Sequence, residues 1–178
     1  MLFTKLPSAG FGIRVTAFAF DYLIIAGYLI LVVAAGSFVT ALFPIIAHEL
    51  FGNPFSGQIT GFLIVTFPIS LYFILFESSG WQATWGKRRL GLRVTRTDGT
   101  RLTVLRAGSR TLLKFIPWEL AHTCIWQINC AQDAAKPLIT MGFALVWILV
   151  GANIVSLWIS SKHQTLYDRL AGTYVVKE

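Results

Sequence analysis

Charge is scarce in this chain: aspartate, glutamate, lysine and arginine together make up 13% of its 178 residues, about half the share of a soluble domain. Acid is scarcest, with 8 Asp and Glu against 15 Lys and Arg. Too few charges remain to cover a water-facing surface, so a soluble globular domain is excluded. Cysteine is nearly absent as well: Cys124 and Cys130 are the two, and no Cys-x-x-Cys occurs. On a helix they would stand about 9 Å apart along the axis and on different faces, beyond disulfide reach. A glycine-rich phosphate loop, a nucleophile elbow and a Ser/His/Asp order are missing too. We therefore expect no enzymatic activity, no cofactor and no metal site.

What is abundant is apolar surface: 55% of residues are hydrophobic and 14% aromatic, with a mean hydropathy of +0.66. This is the composition of an integral membrane protein. A span uses about 20 residues, so there is room for about three to five spans and no large extramembrane domain. Charge-free intervals from Tyr22 to Ala47, Leu50 to Phe76 and Pro137 to Ser161 locate three of them. Phe115 to Gln132 is a fourth candidate; it carries Glu119, His122, Gln127, Asn129 and Gln132, so it inserts only where those groups face protein or water. Its rival is a helix lying flat in the interface.

Basic residues decide between the two. Two precede the first span, none lies between the first and second, nine fall from Lys87 to Lys114, Lys136 precedes the last span and three follow it. Four spans with both termini cytoplasmic satisfy the positive-inside bias; three would put the C-terminal cations outside. Lys5 precedes an apolar run too long for a signal-peptide core and lacking a small-residue cleavage site, so the first segment is read as retained. The expected fold is an all-α membrane protein, a single domain over 1–178, with about four transmembrane helices near 17–47, 57–79, 115–132 and 137–161. A basic cytoplasmic hairpin occupies 86–114 and a cytoplasmic segment 162–178. Leu92–Thr97 and Thr100–Leu105 alternate apolar with polar around Asp98-Gly99, a pair that suits a tight turn. An isolated two-stranded hairpin is marginal in water, so 172–177 is expected to add a third strand.

Ionisable residues near or within the spans are the candidates for function. Arg14 and Asp21 stand seven residues apart, two turns on one helix face, too far to touch directly. Asp21 enters the hydrocarbon and needs a partner, a proton or a wet cavity. Two readings stand: the pair fixes topology by snorkelling and capping, or Asp21 is functional. Loop arginines Arg88, Arg93 and Arg110 are candidate partners for Asp21 and Asp168, with Arg14 also reaching Asp168. Glu119 and His122, three apart, share a face; they form either a proton-exchanging pair or a polar anchor beside Trp118. Glu77 reads as an interfacial counter-charge. Leu166 and Leu170 sit four apart and can face the bundle. In the loop, Lys87, Arg88, Arg89 and Arg93 read as topology determinants and contacts for anionic lipid of the cytoplasmic leaflet, not for nucleic acid.

Gly12-Ile-Arg14 through Asp21, Gly86-Lys-Arg-Arg-Leu-Gly-Leu-Arg-Val94 with Asp98-Gly99, and Leu166-Tyr-Asp168-Arg-Leu-Ala-Gly bracket nearly the whole chain. Together they resemble the RDD family of small membrane proteins, named for one arginine and two aspartates. The resemblance makes Arg14, Asp21 and Asp168 the signature positions and carries nothing over to Glu119 or His122. It implies a plasma (inner) membrane location and, from the antiport proposed for some members, exchange of a monovalent cation for a proton. A homo-oligomer would suit such a transporter, because four spans barely enclose a path. The opposing reading is a non-catalytic scaffold or lipid-associated accessory protein.

Overall fold

The computed structural model describes residues 7–128 and 136–178. Lys5, Cys130 and the 129–132 end of the expected fourth span lie outside the described residues. The helices are α1 (Phe11–Leu42), α2 (Pro44–Phe51), α3 (Pro54–Gly61), α4 (Phe67–Ser78), α5 (Trp85–Arg89), α6 (Val104–Ile128), α7 (Lys136–Ile159) and α8 (Leu166–Leu170). A π-helical turn, Phe62–Thr66, joins α3 to α4, and the strands are β1 (Leu92–Arg96) and β2 (Thr173–Lys177).

Three helical stretches are long and apolar enough to cross a membrane: Phe11–Leu42, Pro54–Ser78 and Lys136–Ile159. They are apolar all round, and Leu31, Val33 and Trp147 are each about 70% exposed, as a lipid-facing helix requires. The expected fourth span is the second half of α6, which starts within the basic segment and carries Arg106, Arg110 and Lys114 before Glu119. A count of four spans is therefore not reached by length and composition alone. The first span stops at Leu42, short of the expected 47, because a residue before proline is driven out of the helical region. Phe43 accordingly has φ −132° and ψ 64°, and Pro44 opens α2.

The β element differs from expectation. It has two strands, β1 antiparallel to β2, with Val94 opposite Val175. Asp98-Gly99 does turn the chain: Gly99 has φ +84°, and the Asp98 carboxylate accepts from the Thr100 N–H and hydroxyl. The second limb, however, makes one bridge, Thr95 to Arg101, and then becomes helix. Thr103 stops the strand by capping α6, its hydroxyl accepting from the Arg106 N–H. The apolar alternation at Val104 and Leu105 belongs to that helix's exposed face. The free edge of β2 is taken instead by Pro7–Ala9, through Ala9 N–H to Val175 and Lys177 N–H to Pro7.

Two compact units make up the chain. The first comprises the chain up to Ile24, Ser70–Lys114 and Gly151–Glu178; the second comprises Ile25–Ile69 and Phe115–Val150. Ala9, Ala17, Leu92, Val94, Leu102, Ala107 and Val175 form the core of the first. In the second, the Asn53 side chain caps α3, the Trp126 indole stacks on Phe51, and Gly57 gives it room, since a Cβ there would lie 2.6 Å from the ring. Cys124 is a buried thiol. Leu170 is 66% exposed, so only Leu166 of the expected pair is partly covered: α8 is about one and a half turns long and Asp168, its third residue, takes the buried face.

Candidate functional site

In the first unit, Asp168 is set by local sequence. Thr165-Leu-Tyr-Asp168 forms a capping box: the Thr165 hydroxyl accepts from the Asp168 N–H, and the Asp168 carboxylate accepts from the Thr165 N–H, both at 3.3 Å. Threonine with an acidic residue three positions on satisfies two of the free N–H groups at a helix start. The same carboxylate, fully buried, meets two guanidiniums. Arg14 Nη2 lies 2.5 Å from Oδ2, and Arg110 lies 2.8 Å from Oδ1 through Nη2 and 2.9 Å through Nε. Gly172, at φ +64°, then turns the chain into β2.

Arg110 reaches further, donating from Nη1 to Glu77 Oε2 at 2.6 Å, while Lys87 Nζ donates to Glu77 Oε1 at 2.6 Å. Five charges thus alternate in sign: Arg14, Asp168, Arg110, Glu77, Lys87. Arg110 and Glu77 are at most 1% exposed. A buried carboxylate needs charged or hydrogen-bonding partners, because desolvation of an unpaired ion is prohibitive. Burial alone would raise the Asp168 carboxyl, but Arg110 and Arg14 hold it below the usual carboxylate range. The Arg14 guanidinium is completed by the His163 carbonyl at 2.6 Å.

Asp21 is apart from that chain. Its carboxylate, 1% exposed, accepts from the Tyr72 hydroxyl (2.8 Å), the Gly86 N–H (2.7 Å) and the Thr84 hydroxyl (2.5 Å). No cation lies within ion-pair distance of it among the described residues, so the expected pairing with a loop arginine is not formed. Neutral donors on α4 and at the start of α5 take that place. Of the arginines considered for it, Arg88 lies over the Trp81 ring, Arg93 pairs with Glu178, and Arg110 serves Asp168 and Glu77. The close approach depends on Gly86, where a Cβ would fall 2.1 Å from the Ala17 carbonyl.

In the second unit Glu119 accepts from Gln58 Nε2 at 2.9 Å and from the Thr66 hydroxyl. His122 Nδ1 is 3.8 Å from Glu119 Oε1, and its ring lies 4.8 Å from that of Trp118. Two buried polar atoms beside this carboxylate, Gln58 Oε1 and His122 Nδ1, have no hydrogen-bond partner among the described residues. Thr66 closes the π-helical turn just before Pro68. Proline has no N–H, and the Ile64 carbonyl left without its α-helical donor is satisfied by the Tyr28 hydroxyl.

The structure therefore brings Arg14 and Asp168 together and leaves Asp21 in its own pocket in the same unit, while Glu119 and His122 form a separate polar site in the second. Lys87 turns inward to Glu77 and Arg93 to Glu178; Arg88 and Arg89 remain exposed. Sequence reasoning gave Glu77 too small a part and missed Tyr72, Thr84, Gln58 and Thr66. Neutral donors carry no charge signal, whereas Glu77, the acid that ends a 27-residue uncharged run, faces a loop of cations and was findable. Among the described residues no group of three or more His, Cys, Asp or Glu could hold a metal ion.

The model of the RDD family matches residues 8–172 of the chain. No curated protein and no solved structure matches it significantly.

Proposed function

The chain belongs to the RDD family, and on that premise we propose that it exchanges protons for a small monovalent cation across the plasma membrane. The observation that carries the reading is Glu119. It is an ionisable group in an apolar unit, held by the neutral donors of Gln58 and Thr66, with the His122 ring nitrogen 3.8 Å away. Ionisable residues at membrane depth mark ion and proton pathways by default, and an imidazole beside a carboxylate can exchange a proton with it. The adjacent π-helical turn and Pro68 fit this reading, since π-turns cluster at functional sites.

The proposal includes a fourth span through 115–132, four spans in all, and both termini in the cytoplasm. Gln58 and Thr66 support that span by satisfying Glu119, its most costly residue, within the protein. A homo-oligomer supplies the helices that four spans lack. Nucleic acid and enzymatic turnover have no part in this reading.

A scaffold role is the second reading, favoured by the alternating charges from Arg14 to Lys87, in which every member has a partner. Under the transport reading that array is the frame and Glu119 the working group. The test is a proton-flux assay in proteoliposomes with sodium, lithium or potassium gradients, comparing wild type, Glu119→Gln and Asp21→Asn. The expected result is cation-dependent flux that Glu119→Gln abolishes while its melting temperature stays near wild type. No flux in the wild type, or full flux in Glu119→Gln, overturns the transport reading. Loss of flux in Asp21→Asn alone, at unchanged stability, moves the working carboxylate to Asp21.

A further inference from the structure

Of the four cations expected at the lipid surface, two are already engaged: Lys87 is drawn onto buried Glu77, and Arg93 is paired with Glu178 at 2.8 Å. The other two, Arg88 and Arg89, have no carboxylate within ion-pair distance among the described residues. Each instead lies on an indole. The Arg88 guanidinium carbon is 4.4 Å from the Trp81 ring centre and that of Arg89 is 4.6 Å from Trp85.

The indoles are fixed from the spans. Trp81 packs on Phe76, in the last turns of α4, at 5.6 Å, and Trp85 makes a T-shaped contact with Phe20 on α1 at 6.0 Å. Indoles anchored at span ends sit at headgroup level. A guanidinium seated over such a ring still has N–H groups free to donate, in a fork that matches two oxygens of a phosphate. Its charge is also less hydrated there than a free ammonium would be. Trp85, Arg88 and Arg89 line one cavity of 310 Å³, so both guanidinium-bearing side chains border the same space.

We infer that Arg88 and Arg89, mounted on Trp81 and Trp85, form a binding site for the phosphate of an anionic phospholipid headgroup. The ligand is a lipid and not a free anion because the indoles hold the site at the ends of two spans, where the acyl chains of a bound lipid lie along Phe20 and Phe76. The site does not depend on transport and would serve a scaffold equally.

The test is native mass spectrometry of the detergent-purified full chain, titrated with phosphatidylglycerol or phosphatidylcholine. Phosphatidylglycerol should bind at least about tenfold more tightly than phosphatidylcholine, and Arg88→Gln/Arg89→Gln should remove that preference, given the contribution of each basic residue at an anionic surface. Arg93→Gln/Lys177→Gln removes the same formal charge elsewhere and should leave the preference in place. Arg88→Lys/Arg89→Lys keeps the charge but loses the fork and should weaken binding several-fold; it decides the matter if the glutamine variant fails to fold. Equal binding of the two lipids, equal loss in the control variant, undiminished binding in the lysine variant, or displacement by equimolar inorganic phosphate each overturns the inference.

Discussion

Arg14 and Asp168 meet at 2.5 Å across 154 positions of sequence, joining the start of the first span to a one-and-a-half-turn helix near the other end of the chain. Asp168 shares that contact with Arg110, and Arg110 shares itself with Glu77. Arg110 is therefore the member on which two buried carboxylates depend.

Replacing Arg110 by Gln should cost about 3–5 kcal/mol, because removing one partner leaves buried charge uncompensated. Arg14→Gln should cost less, since Asp168 keeps Arg110. The Arg14→Gln/Asp168→Asn double variant should recover part of the sum of the single losses. Arg93→Gln, which breaks a half-exposed pair, should cost less than about 1 kcal/mol. Thermal unfolding in detergent ranks the four.

Acid should loosen the same array. The folded-state pKa of Asp168 is depressed, so its contribution is complete above the unfolded value of about 3.9 and is lost as pH falls through the lower folded value. Melting temperatures followed from pH 7 downward should hold to about pH 4 before this part of the decline begins. Asp168→Asn, already less stable, should show a shallower acid decline than wild type. An equally steep decline in the variant would assign the acid sensitivity to other groups.

Gly86→Ala should be among the most damaging single-methyl changes in the protein. The added Cβ would lie 2.1 Å from the Ala17 carbonyl and 2.9 Å from the Asp21 carboxyl carbon, both held by α1, so the start of α5 must move and its N–H must leave Asp21. Gly80→Ala, with nothing within 4 Å of the new atom, should be nearly neutral. Expression and melting temperature of the two variants give the comparison.

Single-cysteine labelling should report the proposed topology. Gly52→Cys and Lys136→Cys should react with an impermeant reagent from outside, and Asp98→Cys and Lys177→Cys only after the membrane is opened. If 115–132 lies flat in the interface, Lys136→Cys becomes internal and Lys177→Cys external.

How much of this was legible beforehand varies with the physical signal. The three apolar spans follow from composition, and Asp98-Gly99 did mark a turn with positive φ at the glycine. The strand after it was misread because Val104 and Leu105 fit a strand and a helix face alike; Thr103, three residues before Arg106, was the cap that decided the matter. The need of Asp168 for arginine was legible, since Coulomb attraction leaves a charge pattern. The hydroxyls and the single N–H that hold Asp21 were not, because Tyr72, Thr84 and Gly86 become donors to it only when the fold brings them within 3 Å.

The strand order has a consequence for biosynthesis. β2 lies between β1 and the Pro7–Ala9 segment, and Asp168 just before it answers Arg14 and Arg110. Pro7–Ala9 and Arg14 leave the ribosome early; Asp168 and β2 leave it more than 150 residues later. Until then the first span is threaded into the bilayer with Arg14 unanswered and the edge of β1 open. Closure thus waits for Asp168 and β2, and a chain cut short before Asp168 would be inserted but never latched, a natural target for membrane quality-control proteases.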